Sequence, residues 1–379
     1  MTSQNITPSE VHAESSAAPD PPFGSNAIRL NSRQWTTAAL LTVMILLALP
    51  RLWMILEPLA DGPDYRLPYS QSEDYWQYAR LVARAKSERE IAVIGDSVIW
   101  GEYVTPRQTL THYLNEQEAR VRFVNLGLNG AHPLALHGLV SSYATALQDE
   151  PVLVHCNLLW LSSPERDLQV EKELPLNHAR LVSQFVPSLP CYKAPLAERM
   201  GIVVDRNLAV RGWAQHLRIA FFDGLDIPSW TLEHPYENPL AQIELAAAPS
   251  DAKLRHAQIP WFDQGIGVQD IPWIDLETSL QWQALRRTID LLQARGNRVF
   301  VVVGPLNEHM LTPASRQRHL VLREGVESWL SGRNIPHASP PLLPSDEYAD
   351  SSHPLSAGYE RLAQALHNKH EFKQWLEND

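Results

Sequence analysis

Three side chains far apart in the sequence have the types and spacing that serine-based acyl transfer requires. Ser97 follows a short apolar run, and Asp350 precedes His353 by three residues. A serine hydroxyl is a weak nucleophile at neutral pH, so an imidazole must take its proton and a carboxylate must orient that imidazole. We therefore predict a catalytic triad of Ser97, His353 and Asp350.

Each motif also has a structural interpretation. The Gly-Asp-Ser sequence that ends at Ser97 is a common turn composition. The stretch 350–354 suits a polar loop that caps a helix beginning near Ser356. A serine just past a buried strand, however, lies at the carboxyl edge of a sheet, where open α/β folds bind their ligands. The joint occurrence of the two motifs favours the catalytic interpretation.

The motifs resemble those of the SGNH hydrolases, also called GDSL-type esterases and lipases. That family carries its nucleophilic serine in a G-D-S motif near the start of the domain, as at Ser97, and a D-x-x-H motif near its end, as at Asp350 and His353. The resemblance implies an oxyanion donor after the second strand. Gly130 is the expected donor, with Gly127 as its competitor.

The block that supplies an oxyanion asparagine in this family departs from its usual form. The strand at 151–156 runs into Asn157 without the family's G-x-N-D sequence. Two roles stay open for Asn157: an oxyanion donor, or a side chain that satisfies backbone groups at a strand end. The spacing from Asp350 to Gly358 resembles that of membrane-attached members concerned with cell-envelope modification.

The alternation of elements predicts an α/β domain over residues 90–379. Apolar strands are expected at 91–95, 121–126, 152–157 and 298–303, with a short one near Ile335. Helices are expected at 72–86, 106–118, 133–148, 282–295 and 313–330. This order predicts three layers, with helices on both faces of a parallel sheet, as in the flavodoxin-like fold that the SGNH resemblance implies.

Residues 160–275 do not follow this alternation, and we interpret them as a large insertion. They contain five tryptophans, at positions 160, 213, 230, 261 and 273. One interpretation is a cap beside the active site, whose aromatic rings stack on sugars or hold an acyl chain. The other, which we favour, is that the tryptophans only stabilise an irregular subdomain.

The amino-terminal region predicts a membrane anchor. Residues 1–34 are rich in Ser, Ala, Pro and acidic groups, which is typical of disorder. Residues 35–57 are predominantly apolar, and about 21 helical residues reach about 31 Å, the thickness of a bilayer's hydrocarbon core. A cleaved signal peptide and a buried core helix are the alternatives. Residues 58–89 are expected to form a stalk and a leading helix.

The orientation of this anchor rests mainly on the family resemblance. Arg29 and Arg33 precede the span and Arg51 and Arg66 lie at or beyond its far end, so the positive-inside bias is nearly balanced. The resemblance implies a cytoplasmic amino terminus. The catalytic domain is then periplasmic or extracellular.

Composition argues against several classes of partner. The net charge of -11 disfavours nucleic acid, because phosphate binding requires a cationic face. Cys156 and Cys191 cannot form a disulfide framework; a free thiol is expected at Cys156, which falls in a predicted buried strand, and a single bridge between the two is the alternative. The histidines show no metal-binding spacing, and neither G-x-G-x-x-G nor a P-loop sequence occurs, so no cofactor is expected.

The sequence thus predicts a membrane-anchored serine esterase, O-acyl hydrolase or O-acyltransferase. Its acyl-enzyme would form on Ser97, and its acyl-ester substrate would be a cell-surface glycan or lipid. The alternative is a catalytically inactive protein of the same fold that binds a glycan or a partner in an envelope biosynthesis complex. The family resemblance covers residues 90–160 and 280–370.

Overall fold

The computed structural model describes residues 30–59, 62–118, 121–246, 248–251 and 253–377. The disorder expected for residues 1–34 falls almost wholly outside these ranges. The chain divides into two units, with the boundary between Leu49 and Pro50.

The helices and strands follow one another in a βα rhythm. The helices are α1 (Ser32–Leu56), α2 (Tyr75–Ser87), α3 (Ser97–Trp100), α4 (Leu110–Gln117), α5 (Pro133–Ser142), α6 (Leu196–Asn207), α7 (Ala209–Phe221), α8 (Ile227–Glu233), α9 (Leu280–Ala294), α10 (Pro313–Gly332), α11 (Ser356–His367) and α12 (His370–Glu377). The strands are β1 (Ile91–Gly95), β2 (Phe123–Gly127), β3 (Pro151–Cys156), β4 (Arg298–Val303) and β5 (His337–Ala338).

Helix α1 is the one helix in the described part of the chain that is long and apolar enough to cross a membrane. Its most apolar window has a mean hydropathy of 2.2, and almost none of that window is buried. Exposed aliphatic side chains are not what a core helix shows, which argues against that alternative. The helix begins at Ser32, three residues before Trp35. The Asn31 side chain caps the helix there, because its Oδ1 accepts a hydrogen bond from the Gln34 amide at 3.0 Å.

The five strands form one parallel sheet in the order β2-β1-β3-β4-β5. The prediction of an α/β fold with a central parallel sheet is confirmed. Side chains of β1 alternate between two cores: Ala92 and Ile94 face α2, α5, α9 and α10, whereas Ile91 and Val93 face α4, α11 and α12. Helices therefore cover both faces of the sheet.

Residues on either side of the expected stalk pack into the domain. Tyr65 and Leu67 are buried in the core. Glu57 is buried and pairs with both Arg80 of α2 and His216 of α7. Residues 60 and 61 lie outside the described ranges, and the expected stalk stays a prediction.

His216 joins the chain that follows α1 to α2 and α7. Its Nδ1 lies 2.6 Å from Asp74 Oδ2 and its Nε2 lies 3.0 Å from Glu57 Oε1. Burial disfavours the charged ring, but the hydrogen bonds and charges of these two carboxylates raise the pKa of His216 to about 9. The ring is therefore an imidazolium at neutral pH, and it bridges two carboxylates.

The 160–275 segment contains helices α6, α7 and α8, none of which was predicted. All five of its tryptophans have structural partners. Trp213 packs on Trp53, and Trp230 packs on Phe222. The other three donate their ring N–H groups: Trp160 to Asp96, Trp261 to Ser345 and Trp273 to Ser315. These contacts support the interpretation of the tryptophans as stabilising residues. The segment contains three helices and is therefore less irregular than the sequence indicated.

Candidate active site

Ser97 is the first residue of the short helix α3, directly beyond the carboxyl end of β1. Gly95 ends the strand at a place where a Cβ atom would lie 2.6 Å from Ile99 Cγ1 and 2.7 Å from His155 Cβ. Asp96 caps the helix, because its Oδ1 accepts the Val98 amide at 3.0 Å. Gly95 thus allows close packing at the end of the strand, and Asp96 caps the helix that Ser97 begins.

The carboxylate of Asp96 is buried and bonded on both oxygens. Besides the amide, Oδ1 lies 3.1 Å from His155 Nδ1, while Oδ2 accepts from Asn157 Nδ2 at 2.7 Å and from Trp160 Nε1 at 2.9 Å. Burial alone would raise the pKa of this carboxyl, but His155 and these donors hold the pKa of Asp96 well below its usual range. Asp96 therefore links the turn that carries Ser97 to the end of β3 through hydrogen bonds.

Helix α3 is four residues long, and its carbonyl groups are satisfied by side chains from elsewhere. The Tyr359 hydroxyl donates to Val98 O at 2.5 Å, and Asn125 Nδ2 donates to Ile99 O at 2.7 Å. The buried guanidinium of Arg66 donates to Trp100 O at 2.7 Å and also to the carbonyls of the next turn. Ser97 is held by contacts from three separate parts of the chain.

The Asp350–His353 loop is closed by its own carboxylate. Asp350 Oδ1 accepts the amides of Ser352 at 2.9 Å and His353 at 3.0 Å, and both carboxylate oxygens lie 2.8 Å from His353 Nδ1. Asn307, which follows β4, donates its side-chain amide to Asp350 O at 3.0 Å and its backbone amide to Ser351 O at 2.9 Å. The D-x-x-H spacing lets the Asp350 carboxylate fold back over one turn of backbone and reach the His353 ring.

The structure brings Ser97, His353 and Asp350 together as predicted. His353 Nε2 lies 2.8 Å from Ser97 Oγ. Because an ionised carboxylate can only accept, Nδ1 of the ring must carry a proton, and Nε2 of the neutral ring accepts from the serine hydroxyl. Ser97 and His353 are both partly exposed, so the pair is not sealed in the core. This arrangement can perform nucleophilic acyl transfer.

The charges at the site suit that role. Burial opposes ionisation of Asp350, yet His353 and the two loop amides lower the pKa of Asp350 to about 2. Burial likewise disfavours the charged form of His353, but the Asp350 carboxylate, with Asp96 and Glu102 further away, raises the pKa of His353 above its usual value. An imidazolium formed by proton transfer from Ser97 would be stabilised in the same way.

The sequence interpretation missed a group of residues beside His353. The Tyr103 ring lies 5.5 Å from the His353 ring and 5.1 Å from that of His256. Glu102 accepts from His256 Nε2 at 2.8 Å and from Arg255 at 3.2 Å. Burial and the neighbouring Asp350 raise the pKa of Tyr103 to about 12. The one sequence signal that could have identified this group was position, because Glu102 and Tyr103 lie just after helix α3.

Gly127 and Gly130 were the two candidate oxyanion donors, and their backbone environments differ. The Gly127 amide already donates to Asn125 Oδ1 at 3.0 Å, and a Cβ atom there would lie 2.4 Å from Trp100 N. Gly127 is thus a packing residue between β2 and α3. Gly130 lies in the following turn with φ +74, a backbone conformation that glycine adopts at low cost. Gly130 remains the predicted donor.

Asn157 has one of the two roles that the sequence left open, the structural one. Its Nδ2 donates to Asp96, and its Oδ1 accepts the Leu159 amide at 3.0 Å. The side chain therefore satisfies backbone and carboxylate groups at the end of β3, which was one of the two roles left open. A primary amide carries a second N–H, and its use toward an oxyanion stays a prediction.

The remaining candidate groups have structural roles. Cys156 and Cys191 are buried free thiols, as expected. Glu308 follows β4 at the same edge of the sheet, but it pairs with Arg323 at 3.1 Å and with His319 at 3.3 Å. Within the described ranges, no group of three or more His, Cys, Asp or Glu residues could hold a metal ion.

No family model matches the chain, and no curated protein matches it.

We predict that Asp96→Asn destabilises the protein and misplaces Ser97. The neutral amide would turn an N–H group toward Asn157 and Trp160, which are donors, and would remove the charge opposite His155. Breaking a buried ion pair typically costs about 3–5 kcal/mol, and we expect a loss of that order. Urea titration of the detergent-solubilised protein, followed by tryptophan fluorescence, measures it.

The matched control is Asp226→Asn. Asp226 caps α8 in the same way, accepting the Ser229 amide at 2.8 Å, but it is exposed. Asparagine is as good a cap as aspartate, so little change is expected there. Equal unfolding midpoints for the two variants would show that Asp96 does not anchor the site.

Proposed function

We propose that this protein is a membrane-anchored serine esterase or O-acyltransferase of the SGNH type. The observation that carries the proposal is the relay from Asp350 through His353 to Ser97, with its two hydrogen bonds of 2.8 Å. The position of Ser97 beyond β1, at the carboxyl edge of a parallel sheet, supports it further.

The reaction begins when Ser97 Oγ attacks the ester carbonyl carbon while His353 Nε2 takes the hydroxyl proton. Negative charge develops on the former carbonyl oxygen, and the amides of Ser97 and Gly130, with the Asn157 side chain, are the proposed donors to it. The C–O bond to the alcohol then breaks, His353 returns the proton to the leaving oxygen, and an acyl-enzyme remains.

The second half-reaction decides between hydrolysis and transfer. Water or a sugar hydroxyl gives its proton to His353 and attacks the acyl carbon, which releases Ser97. Water yields a free acid, and a sugar hydroxyl yields a new ester. Both outcomes use the same three residues.

The proposed location follows from α1. We take this helix as a single membrane span with the catalytic domain on the periplasmic or outer face. Its length of 25 residues and its exposed apolar side chains support the span. The orientation rests on the family resemblance.

A polar cavity beside Gly130 supports a glycan ester as the substrate class. The cavity has a volume of about 300 Å³. It is lined by hydroxyl, amide, carboxylate, imidazole and phenol groups, from Tyr69, Ser70, Ser72, Glu73, Asn129, Gly130, Asn177 and His178. The Nδ2 atom of Asn129 is buried without a hydrogen-bond partner among the described residues. Such groups match the many hydroxyls of a sugar better than an acyl chain.

We expect a fluorophosphonate probe to label the solubilised protein on Ser97, because only an activated serine reacts with it. Ser97→Ala should abolish labelling and the hydrolysis of p-nitrophenyl acetate. Ser142→Ala, which removes a half-buried serine at the end of α5, should leave both unchanged. Absence of labelling in the unsubstituted protein would support the binding-only alternative.

Asp350→Asn should lower kcat by about 10⁴-fold and shift the pH profile. His353 must be neutral to accept the serine proton, so kcat/KM falls as pH drops through the pKa of His353. Asp350 raises that pKa. Without the carboxylate the acid limb should therefore move to lower pH, which a profile of residual activity measures.

Asp346→Asn is the control for this shift, since Asp346 is an exposed aspartate shortly before the loop. Its acid limb should coincide with that of the unsubstituted protein. An acid limb in Asp350→Asn that is unmoved, or that lies at higher pH, would contradict the relay.

Asn177→Ala should weaken the binding of a sugar ester without affecting the chemistry. Asn177 is exposed in the cavity, and its Nδ2 would lie 3.0 Å from a Cβ atom at Gly130. Loss of one hydrogen bond of about 1 kcal/mol predicts a KM about five-fold higher for an O-acetylated disaccharide. The KM for p-nitrophenyl acetate, which carries the same acyl group, should not change.

The control for this variant is Asn368→Ala, another exposed asparagine, which lies after α11. Equal increases in KM for both esters of the Asn177 variant would mean that the cavity does not recognise the sugar.

A further inference from the structure

Helix α6 has its apolar side facing outward. Leu196, Met200, Val203 and Val204 recur at helical spacing along one face, and their exposed fractions are 64%, 55%, 36% and 49%. Ile202 is its one buried residue. We call this face, formed by these four exposed residues, the α6 stripe. In a helix on a water-exposed surface the apolar side chains face the core.

Two arginines of α6, Arg199 and Arg206, point toward the protein and fix this orientation. Arg206 donates to Arg180 O at 2.7 Å and to Val182 O at 2.6 Å. Arg199 donates to Tyr192 O at 2.8 Å. Rotating the helix to bury the stripe would break these hydrogen bonds. The stripe is therefore a built feature, and a contiguous exposed apolar face marks a surface that another body covers.

The neighbours of α6 connect this surface to the end of the apolar helix α1. Helix α6 packs against α7. Helix α7 in turn contacts Trp53, whose ring lies 5.7 Å from Trp213 and 6.3 Å from Phe221. Trp53 lies in the last turn of α1, and tryptophan at the end of a membrane span sits at the headgroup level. The α6–α7 pair thus belongs at the level of a membrane surface.

Other exposed apolar residues lie close to α6. The loop that receives Arg206 at Val182 continues to Phe185 and Val186, which are 43% and 87% exposed. After α6, Leu208 is 48% exposed at its junction with α7. These residues extend the aliphatic surface without adding charge. A lipid surface accommodates such an area, and water does not.

We propose that the α6 stripe lies in the interfacial layer of the membrane that α1 crosses. The protein would then contact the bilayer at two places, through a spanning helix and through a helix lying along the surface. Amphipathic helices of this kind sink about 5–10 Å into the boundary between headgroups and acyl chains. The proposal rests on the membrane span of α1 and is independent of the chemistry at Ser97.

Site-specific fluorescence in nanodiscs tests this contact. The full-length chain carries Met200→Cys, is labelled with the environment-sensitive dye NBD, and is reconstituted at one chain per disc in phosphatidylcholine with phosphatidylglycerol. Cys156 and Cys191 are buried, so the unsubstituted protein should take up little dye. Glu198→Cys is the matched control, because Glu198 is exposed on the opposite side of the same helix.

The Met200 probe should show blue-shifted emission, quenching by phospholipids spin-labelled near the headgroup, and loss of most quenching by aqueous iodide. The Glu198 probe should remain open to iodide. A Val204→Cys probe should behave as the Met200 probe does, which guards against a local effect of one substitution. The expected spectra remain the same when Ser97 is replaced by alanine.

Two results would overturn the proposal. In the first, the probes at Met200 and Glu198 are quenched equally by iodide and neither is quenched by lipid, so the stripe faces water. In the second, the Met200 probe is shielded only in discs that hold two chains and is not quenched by lipid, so a second copy covers the stripe.

Discussion

The candidate site depends on one buried carboxylate, that of Asp96. It is the point where the chain leaves β1, and its four hydrogen bonds join the amide of α3 to His155 at the end of β3 and to the residues just beyond it. A buried charge is tolerated only when it is fully paired. The hydrogen bonds that stabilise the buried Asp96 carboxylate therefore also fix the position of Ser97. A change that weakens these bonds would lower the stability of the protein and displace Ser97 together.

The second requirement is that a very short helix be held in place by the rest of the chain. Four residues do not form a stable helix alone, because nucleation is costly. Arg66 precedes the first strand and Tyr359 belongs to α11, yet both satisfy carbonyls of α3 or of its final turn. Tyr359 follows His353 by six residues. The helix that contacts α3 through Tyr359 is thus continuous with the loop that supplies the imidazole, which limits relative movement of Ser97 and His353.

The sequence predicted the parts of the molecule whose signals are local. Buried strands such as 91–95 were recognised by apolar runs, Ser97 by a motif at a strand end, and Asp350 and His353 by their spacing. Helix α6 was missed because most of its apolar residues do not face a core: the α6 stripe is exposed while Arg199 and Arg206 point inward. The structural partner of Asn157 was also beyond reach, since its bond to Asp96 joins residues 61 positions apart. Long-range polar pairs leave no periodic pattern in a sequence.

The 160–275 segment connects the chain that follows α1 to the candidate site. At one end, His216 bridges Asp74 and Glu57, and its raised pKa keeps this buried bridge charged at neutral pH. At the other end, His256 bonds Glu102 and packs on Tyr103, which contacts His353. Both contacts are polar and directional, so they fix orientation more than apolar packing would.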